Sequence, residues 1–148
     1  MKSASLKKTK RVKLQVDTEI NFKLIGISSH ENDYRLVWAI NNQLQMRFVR
    51  TENLVIHNNK LGAEMGFSCF VYYDEDRFHT YKLISNRCPD GFLFQEIRNF
   101  DFIIQVTKEM TDTELKVLIR KLKAVEVISA SFLLDPEKLK GLRDILQE

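Results

Sequence analysis

The side chains best suited to nucleophilic or metal chemistry are few and far apart in this sequence of 148 residues. Ser28 and Ser29 precede His30, and Cys88 lies in a predicted loop, but none of them stands in a recognisable nucleophile elbow. A metal site would draw on histidines and cysteines that share no short ligand spacing. Those residues are His30, His57, His79, Cys69 and Cys88. The sequence therefore predicts no catalytic residue, no metal and no cofactor.

Carboxylates are the remaining candidates for acid or base chemistry. The five glycines stand one at a time, so no phosphate-binding loop is predicted. We interpret the acidic residues 74–76 as solvent-facing turn formers. Alternation through residues 100–106 places Asp101 on the opposite face of the strand from its apolar neighbours. A carboxylate in such a strand needs a hydrogen-bond or charge partner, and the candidates are the backbone amides of the preceding loop, Arg35 and Arg98. Glu96, Asp101 and Arg35 are therefore the candidate binding residues, with a structural role as the first interpretation.

Two further groups of side chains allow more than one interpretation. Lys116, Arg120 and Lys123 are spaced as the solvated face of an amphipathic helix, with a phosphate or an acidic partner as the alternative ligand. Five aromatic side chains near the middle of the chain are typical of a buried hairpin, while a partner interface and a base-stacking surface stay open as alternatives. These aromatics are Phe70, Tyr72, Tyr73, Phe78 and Tyr81.

Positive charge is concentrated before the first acidic residue, Asp17. Six of the 23 basic residues lie there, which leaves 17 basic against 20 acidic residues in the rest of the chain. This balance is unlike that of a domain built around a nucleic-acid cradle. We expect residues 1–9 to be a disordered basic arm and residues 10–148 to be a single α+β domain. The six basic residues are Lys2, Lys7, Lys8, Lys10, Arg11 and Lys13.

Periodicity predicts the elements that position these residues. Alternation indicates strands at 12–16 and 22–27. Spacings of three and four indicate a helix ending near Leu44, and Ser28, Ser29 and Asn32 are the candidates for its N-cap. Aromatic and β-branched runs at 67–73 and 78–84 flank a four-residue hairpin turn. The rest of the pattern is a strand at 100–106, a capping box from Thr111 to Glu114 opening a second helix, a strand at 125–134, and a closing helix that begins at Asp135 and Pro136. The predicted fold is two-layer α+β, a mostly antiparallel sheet with about three helices packed on it.

Several segments together resemble the IPExxxVDY family of small bacterial proteins. They are FKLIGISSHENDYRLVWAIN at 22–41, YKLISNR at 81–87, LFQEIRNFDF at 93–102 and DPEKLK at 135–140. Glu96 and Asp101 match the Glu and Asp of the family signature, whereas Phe94, Gln95 and Phe102 stand where the family has Ile, Pro and Tyr. The resemblance implies a bacterial cytoplasmic domain and brings no activity with it.

The functional hypothesis follows from these exclusions. No run of residues is apolar for long enough to span a membrane, and two cysteines form no disulfide framework, so a cytoplasmic location is expected. The first hypothesis is a non-enzymatic binding or adaptor domain that contacts a protein partner or itself. The alternatives are a nucleic-acid-associated protein that uses the basic arm, and an enzyme with an unrecognised site.

Overall fold

The frame of the molecule is an antiparallel sheet, which confirms the α+β class. The structure is a computed structural model that describes residues 20–60 and 62–146. The strands are β1 (Phe22–Ser28), β2 (Val49–Asn58), β3 (Ala63–Asp74), β4 (His79–Ser85), β5 (Arg87–Cys88), β6 (Gly91–Phe92), β7 (Phe102–Thr107) and β8 (Ala130–Leu134). In the described residues six of them pair in the order β2, β3, β4, β7, β1, β8, and every pairing is antiparallel. A further pair, β5 and β6, is only two residues long on each side.

Two helices of twelve residues pack on this sheet, and both begin where the sequence places their caps. Helix α1 (Asp33–Leu44) begins at Asn32, whose side chain accepts a hydrogen bond from the amide of Arg35 at 2.9 Å. Helix α2 (Asp112–Lys123) begins with the predicted capping box of Thr111 and Glu114. Ser29 is not the cap of this helix, because its hydroxyl donates to the carbonyl of Val127 and accepts from the amide of Glu31, which precedes the helix.

The predicted closing helix is the part of the secondary structure that differs most. Asp135 does accept a hydrogen bond from the amide of Glu137, but only a 3-10 turn, Pro136–Lys138, follows it. Helix α3 (Leu142–Ile145) is four residues long and begins after Gly141. Gly141 has φ +68°, a left-handed conformation that a continuous helix does not contain. Two long helices and two short turns therefore replace the three helices expected.

The two faces of the sheet are both covered. Helices α1 and α2 bury Ile25, Leu83 and Ile104 against one face. On the other face Leu24, Ile84 and Ile103 pack against residues of the loop 86–100 and of the segment 135–146. The expectation of two layers thus accounts for the helix side only, because irregular segments form a third layer.

Phe100 shows how closely this third layer approaches the sheet. The sequence places Phe100 on the same face as Phe102, but Phe100 precedes β7 and its ring packs over Gly26, on the opposite face. A side chain at Gly26 would meet the Phe100 ring at 2.9 Å and the side chain of Leu134 at 3.1 Å. Only a residue without Cβ allows this approach.

The remaining predicted elements are the N-terminal arm, the first strand and the strand at 125–134. The disordered arm at 1–9 and the strand at 12–16 lie outside the described residues. The strand expected at 125–134 begins only at Ala130, because the amide of Ile128 bonds to the carbonyl of Val125 in a turn.

Candidate binding cleft

A cleft opens on the helix side of the sheet, where the hairpin of β3 and β4 meets both long helices. Its volume is about 440 Å³. The end of α1 and the residues after it supply one wall, one side of α2 supplies another, and the hairpin supplies the third. The lining residues include Leu44, Met46, Tyr72, Asp74, Asp76, Arg77, His79, Tyr81, Met110, Glu114, Val117, Leu118 and Lys121.

The hairpin wall of the cleft is aromatic. Tyr72 of β3 pairs with Tyr81 of β4, and their rings stack with centroids 5.3 Å apart. The ring of Phe48 lies behind them, 5.8 Å from Tyr72 and 6.3 Å from Tyr81. Burial raises the pKa of Tyr81 to about 12, and the nearby carboxylate of Asp74 adds to this shift. The phenol of Tyr81 is therefore neutral at physiological pH.

The turn of the hairpin is organised by Asp74, which is buried and therefore not solvent-facing as the sequence predicts. Its Oδ1 accepts hydrogen bonds from the amides of Asp76 and Arg77 at 3.0 and 3.3 Å, and its Oδ2 lies 3.4 Å from Arg77 Nη1. Asp74 pairs with His79, so residues 75–78 form the four-residue connection that the sequence predicts, shifted by one residue. Phe78 closes it at φ +58°, and its side chain is 73% exposed.

His79 and Glu114 connect the hairpin to helix α2. The imidazole is buried, and its Nε2 lies 3.4 Å from Glu114 Oε1, which also accepts a hydrogen bond from the amide of Thr111 at 2.8 Å. The Thr111 amide, and then His79, lower the pKa of Glu114. His79 Nδ1 is sealed from solvent and has no hydrogen-bond partner in the described residues. Since Nδ1 is sealed and Nε2 is paired with Glu114, the pair is a brace between two elements.

The opening of the cleft combines an apolar floor with charges of both signs. Met110, Leu118 and the partly exposed Val117 belong to the floor, and Asp76, Arg77 and Lys121 lie around it. Such a combination is typical of a site that places an apolar group in a pocket and orients it by polar contacts at the edge.

Asp101 has the hydrogen-bond and charge partners that a carboxylate at its position requires, but they are not the predicted ones. Its Oδ2 accepts a hydrogen bond from the amide of Ser29 at 2.8 Å, and its Oδ1 pairs with Arg87. The amide belongs to the loop after β1 and not to the preceding loop, and the arginine is neither Arg35 nor Arg98. Asp101 also lines a second, polar pocket of about 390 Å³.

The structure does not bring the other two candidate binding residues to Asp101. Glu96 is exposed on the 3-10 turn Gln95–Ile97, and its Oε2 accepts a hydrogen bond from the amide of Lys140 at 3.3 Å. Arg35 is exposed in the first turn of α1. Within the described residues no hydrogen bond or ion pair joins any two of the three.

The remaining candidates lie apart from the cleft or play a packing role in it. Cys69 and Cys88 are free thiols, and burial raises the pKa of Cys69. Nowhere in residues 20–60 and 62–146 do three His, Cys, Asp or Glu side chains converge as metal ligands would. The five aromatics divide into three that pack in the core or the cleft wall (Phe70, Tyr72 and Tyr81) and two that are exposed (Tyr73 and Phe78).

Three residues organise these sites in ways that the sequence pattern does not indicate. Asn86 is fully buried and bonds through its side chain to four backbone groups. The sequence does not indicate that Arg87 pairs with Asp101, or that His79 contacts Glu114. The capping box marks Glu114 in the sequence, but nothing local indicates that a histidine 35 residues earlier contacts the same carboxylate.

Fold and cleft together define the class of this protein as an α+β domain with an antiparallel sheet and a mixed apolar and charged cleft. Comparison with protein-family models, with curated proteins and with solved structures gives no match. The resemblance to the IPExxxVDY family therefore stays a prediction. None of the helices in the described part of the chain has the length and apolarity that a membrane-spanning helix needs.

Proposed function

We propose that this protein is a non-enzymatic binding domain that acts through protein–protein contacts, with the cleft between the β3–β4 hairpin and α2 as its binding site. One observation carries the proposal: an apolar floor, an aromatic wall and a rim with both charges share one opening of about 440 Å³. Pockets that hold compact ligands or anchoring side chains typically measure about 300 to 1,000 Å³.

The contacts of Asp74, Glu114 and His79 favour binding over catalysis. A general acid or base needs an unoccupied atom that a substrate can reach. Asp74 is bonded to its own turn, Glu114 to its helix cap, and His79 to Glu114. These groups hold the walls of the cleft in place, and the apolar surface between them is left to contact a partner.

Exposed apolar side chains around the opening support a macromolecular partner. Phe78 is 73% exposed at the hairpin turn, and Val117 is 37% exposed on α2. Aromatic anchors of this kind are enriched in interfaces, where they fill pockets surrounded by polar contacts. The alternative of nucleic-acid association depends on the six basic residues before Asp17, which lie outside the described residues, and on no feature of the cleft.

Selection of random peptides displayed on phage tests this proposal on the immobilised full chain. Val117→Arg places a long charged side chain at the cleft floor, and Trp38→Ala removes a more exposed apolar group from α1, away from the cleft. We expect the selected peptides to bind the wild type and Trp38→Ala equally, and to lose binding to Val117→Arg. Peptides that bind all three proteins alike, or no enrichment, would contradict the proposal.

A further inference from the structure

Phe78 combines two unfavourable properties at one position. Its backbone adopts φ +58°, a left-handed conformation that bulky residues rarely occupy, and its ring is 73% exposed to solvent. Glycine or asparagine would satisfy the same turn without either cost. Backbone strain of this kind tends to occur where a side chain has a role outside the fold.

The cleft lies directly beside this residue. Arg77 and His79, the neighbours of Phe78 in the chain, both line the cleft, whereas Phe78 itself does not. Phe78 is thus adjacent in the chain to two residues of an apolar opening that its own exposed ring does not fill. An exposed apolar anchor and an unfilled apolar receptor are therefore parts of the same surface.

The charges on this surface are also complementary to one another. The turn carries Glu75 and Asp76, and α2 presents the exposed Lys121 from the opposite side of the cleft. A two-fold interface brings one patch against a rotated copy of itself, so the patch must contain both the anchor and its receptor and both signs of charge. This patch contains all of them.

From this juxtaposition we infer that two copies of the chain associate through reciprocal exchange of the 75–78 turn. The Phe78 ring of each copy enters the cleft of the other over Val117, and Asp76 of one copy faces Lys121 of the second. This inference rests on the proposed binding function of the cleft and names its occupant, a second copy of the same chain.

Sedimentation velocity of the full chain over a series of concentrations tests the inference. We expect a concentration-dependent dimer for the wild type and for Trp38→Ala, and monomers for Phe78→Gly and Val117→Arg. Phe78→Gly should fold normally, because glycine adopts a positive φ without strain. Circular dichroism of each variant verifies that the fold is kept.

Two further arms test the pairing itself. Asp76→Lys and Lys121→Asp should each raise the dimer dissociation constant about tenfold, equivalent to about 1.4 kcal/mol, and the double variant should restore it. An equal mixture of Phe78→Gly and Val117→Arg should form a heterodimer, because one intact anchor then meets one intact cleft.

The possible results separate this inference from the proposed function. A wild-type monomer at every concentration, or a dimer that persists in both Phe78→Gly and Val117→Arg, overturns the exchange of turns. If selected peptides still bind the wild type and not Val117→Arg in that case, the cleft is a binding site for another protein.

Discussion

Asn86 determines the path of the chain between β4 and β7. Its side-chain amide donates to the carbonyls of Ile97 and Phe100 at 3.1 and 3.0 Å, and more weakly to that of Phe94 at 3.4 Å. Its carbonyl oxygen accepts from the amide of Phe94 at 2.8 Å. Because Asn86 is fully buried, these backbone groups have no water to replace it. One side chain therefore folds the loop that covers the second face of the sheet.

We predict that Asn86→Ala lowers the free energy of unfolding by about 3 kcal/mol, since several buried backbone groups lose their partner at once. Asn99→Ala is the matched control, because Asn99 lies in the same loop with an exposed side chain and should change stability by less than about 0.5 kcal/mol. Urea unfolding followed by circular dichroism measures both. Equal midpoints for the two variants would show that the loop does not depend on Asn86.

Asp101 and Glu96 are expected to differ in their contributions, although both match the family signature. Asp101→Ala should cost about 1 to 3 kcal/mol, because the Ser29 amide loses its acceptor in a partly buried place. Glu96→Ala should cost less than about 0.5 kcal/mol, because its carboxylate is exposed. The free energies of unfolding of both variants and of the wild type, measured by chemical denaturation, test this difference. A stable Asp101→Ala would indicate that the carboxylate serves the adjacent polar pocket instead.

At the scale of elements, local chemistry accounts for what the sequence predicts correctly. The capping box at Thr111, the cap at Asn32 and the acidic hairpin turn each involve residues within four positions of one another. The order of strands and the third layer depend on contacts between distant residues, as when Leu24 and Leu139 pack in one cluster. No periodic pattern encodes such contacts, so the covering of the second face was not predicted.

The distinction between local and distant contacts also explains which parts of the candidate site the sequence predicts. Asp101 was identified because a carboxylate in an apolar strand needs a partner, but its partners come from residues 29 and 87. The cleft was not predicted, because it exists only where the hairpin, α1 and α2 meet. The sequence pattern therefore places Tyr72 and Tyr81 in one hairpin and Glu114 in the capping box of α2, but it does not bring the hairpin and the helix together.

Glu114 makes the junction between α2 and the hairpin sensitive to acid. Its pKa is lower in the folded chain than its usual value of 4.5, so the charged form stabilises the fold. That stabilisation is complete above the unfolded pKa and is lost as the pH falls through the folded pKa. Glu114→Gln should therefore have a lower melting temperature than wild type at neutral pH, and the difference should shrink as the pH is lowered below 4.5, the usual pKa of the group. A difference that is equal at neutral and acid pH would show that the charge of Glu114 does not matter.

At the scale of the whole molecule, stability depends on the covering of both sheet faces. Leu139, Leu142 and Leu146 are each at least 94% buried, and they pack against the face that the long helices leave open. Burying one leucine side chain stabilises a fold by about 1.5 to 3 kcal/mol, so these three together contribute an amount comparable to the total stability of a domain, about 5 to 15 kcal/mol.

Truncation after Leu134 should consequently destroy the cooperative fold, although the sheet and both long helices stay in the chain. We expect the truncated protein to bind a hydrophobic dye such as ANS and to lose its sharp thermal transition, because Leu24, Ile84 and Ile103 lose the cover of the segment 135–146 and keep only that of the loop 86–100. Deletion of residues 1–9 is the control: this segment is rich in charge and poor in apolar residues, so the melting temperature should change little. A truncated chain that melts cooperatively would mean that the loop 86–100 is enough to cover this face, and that the segment 135–146 does not contribute to folding.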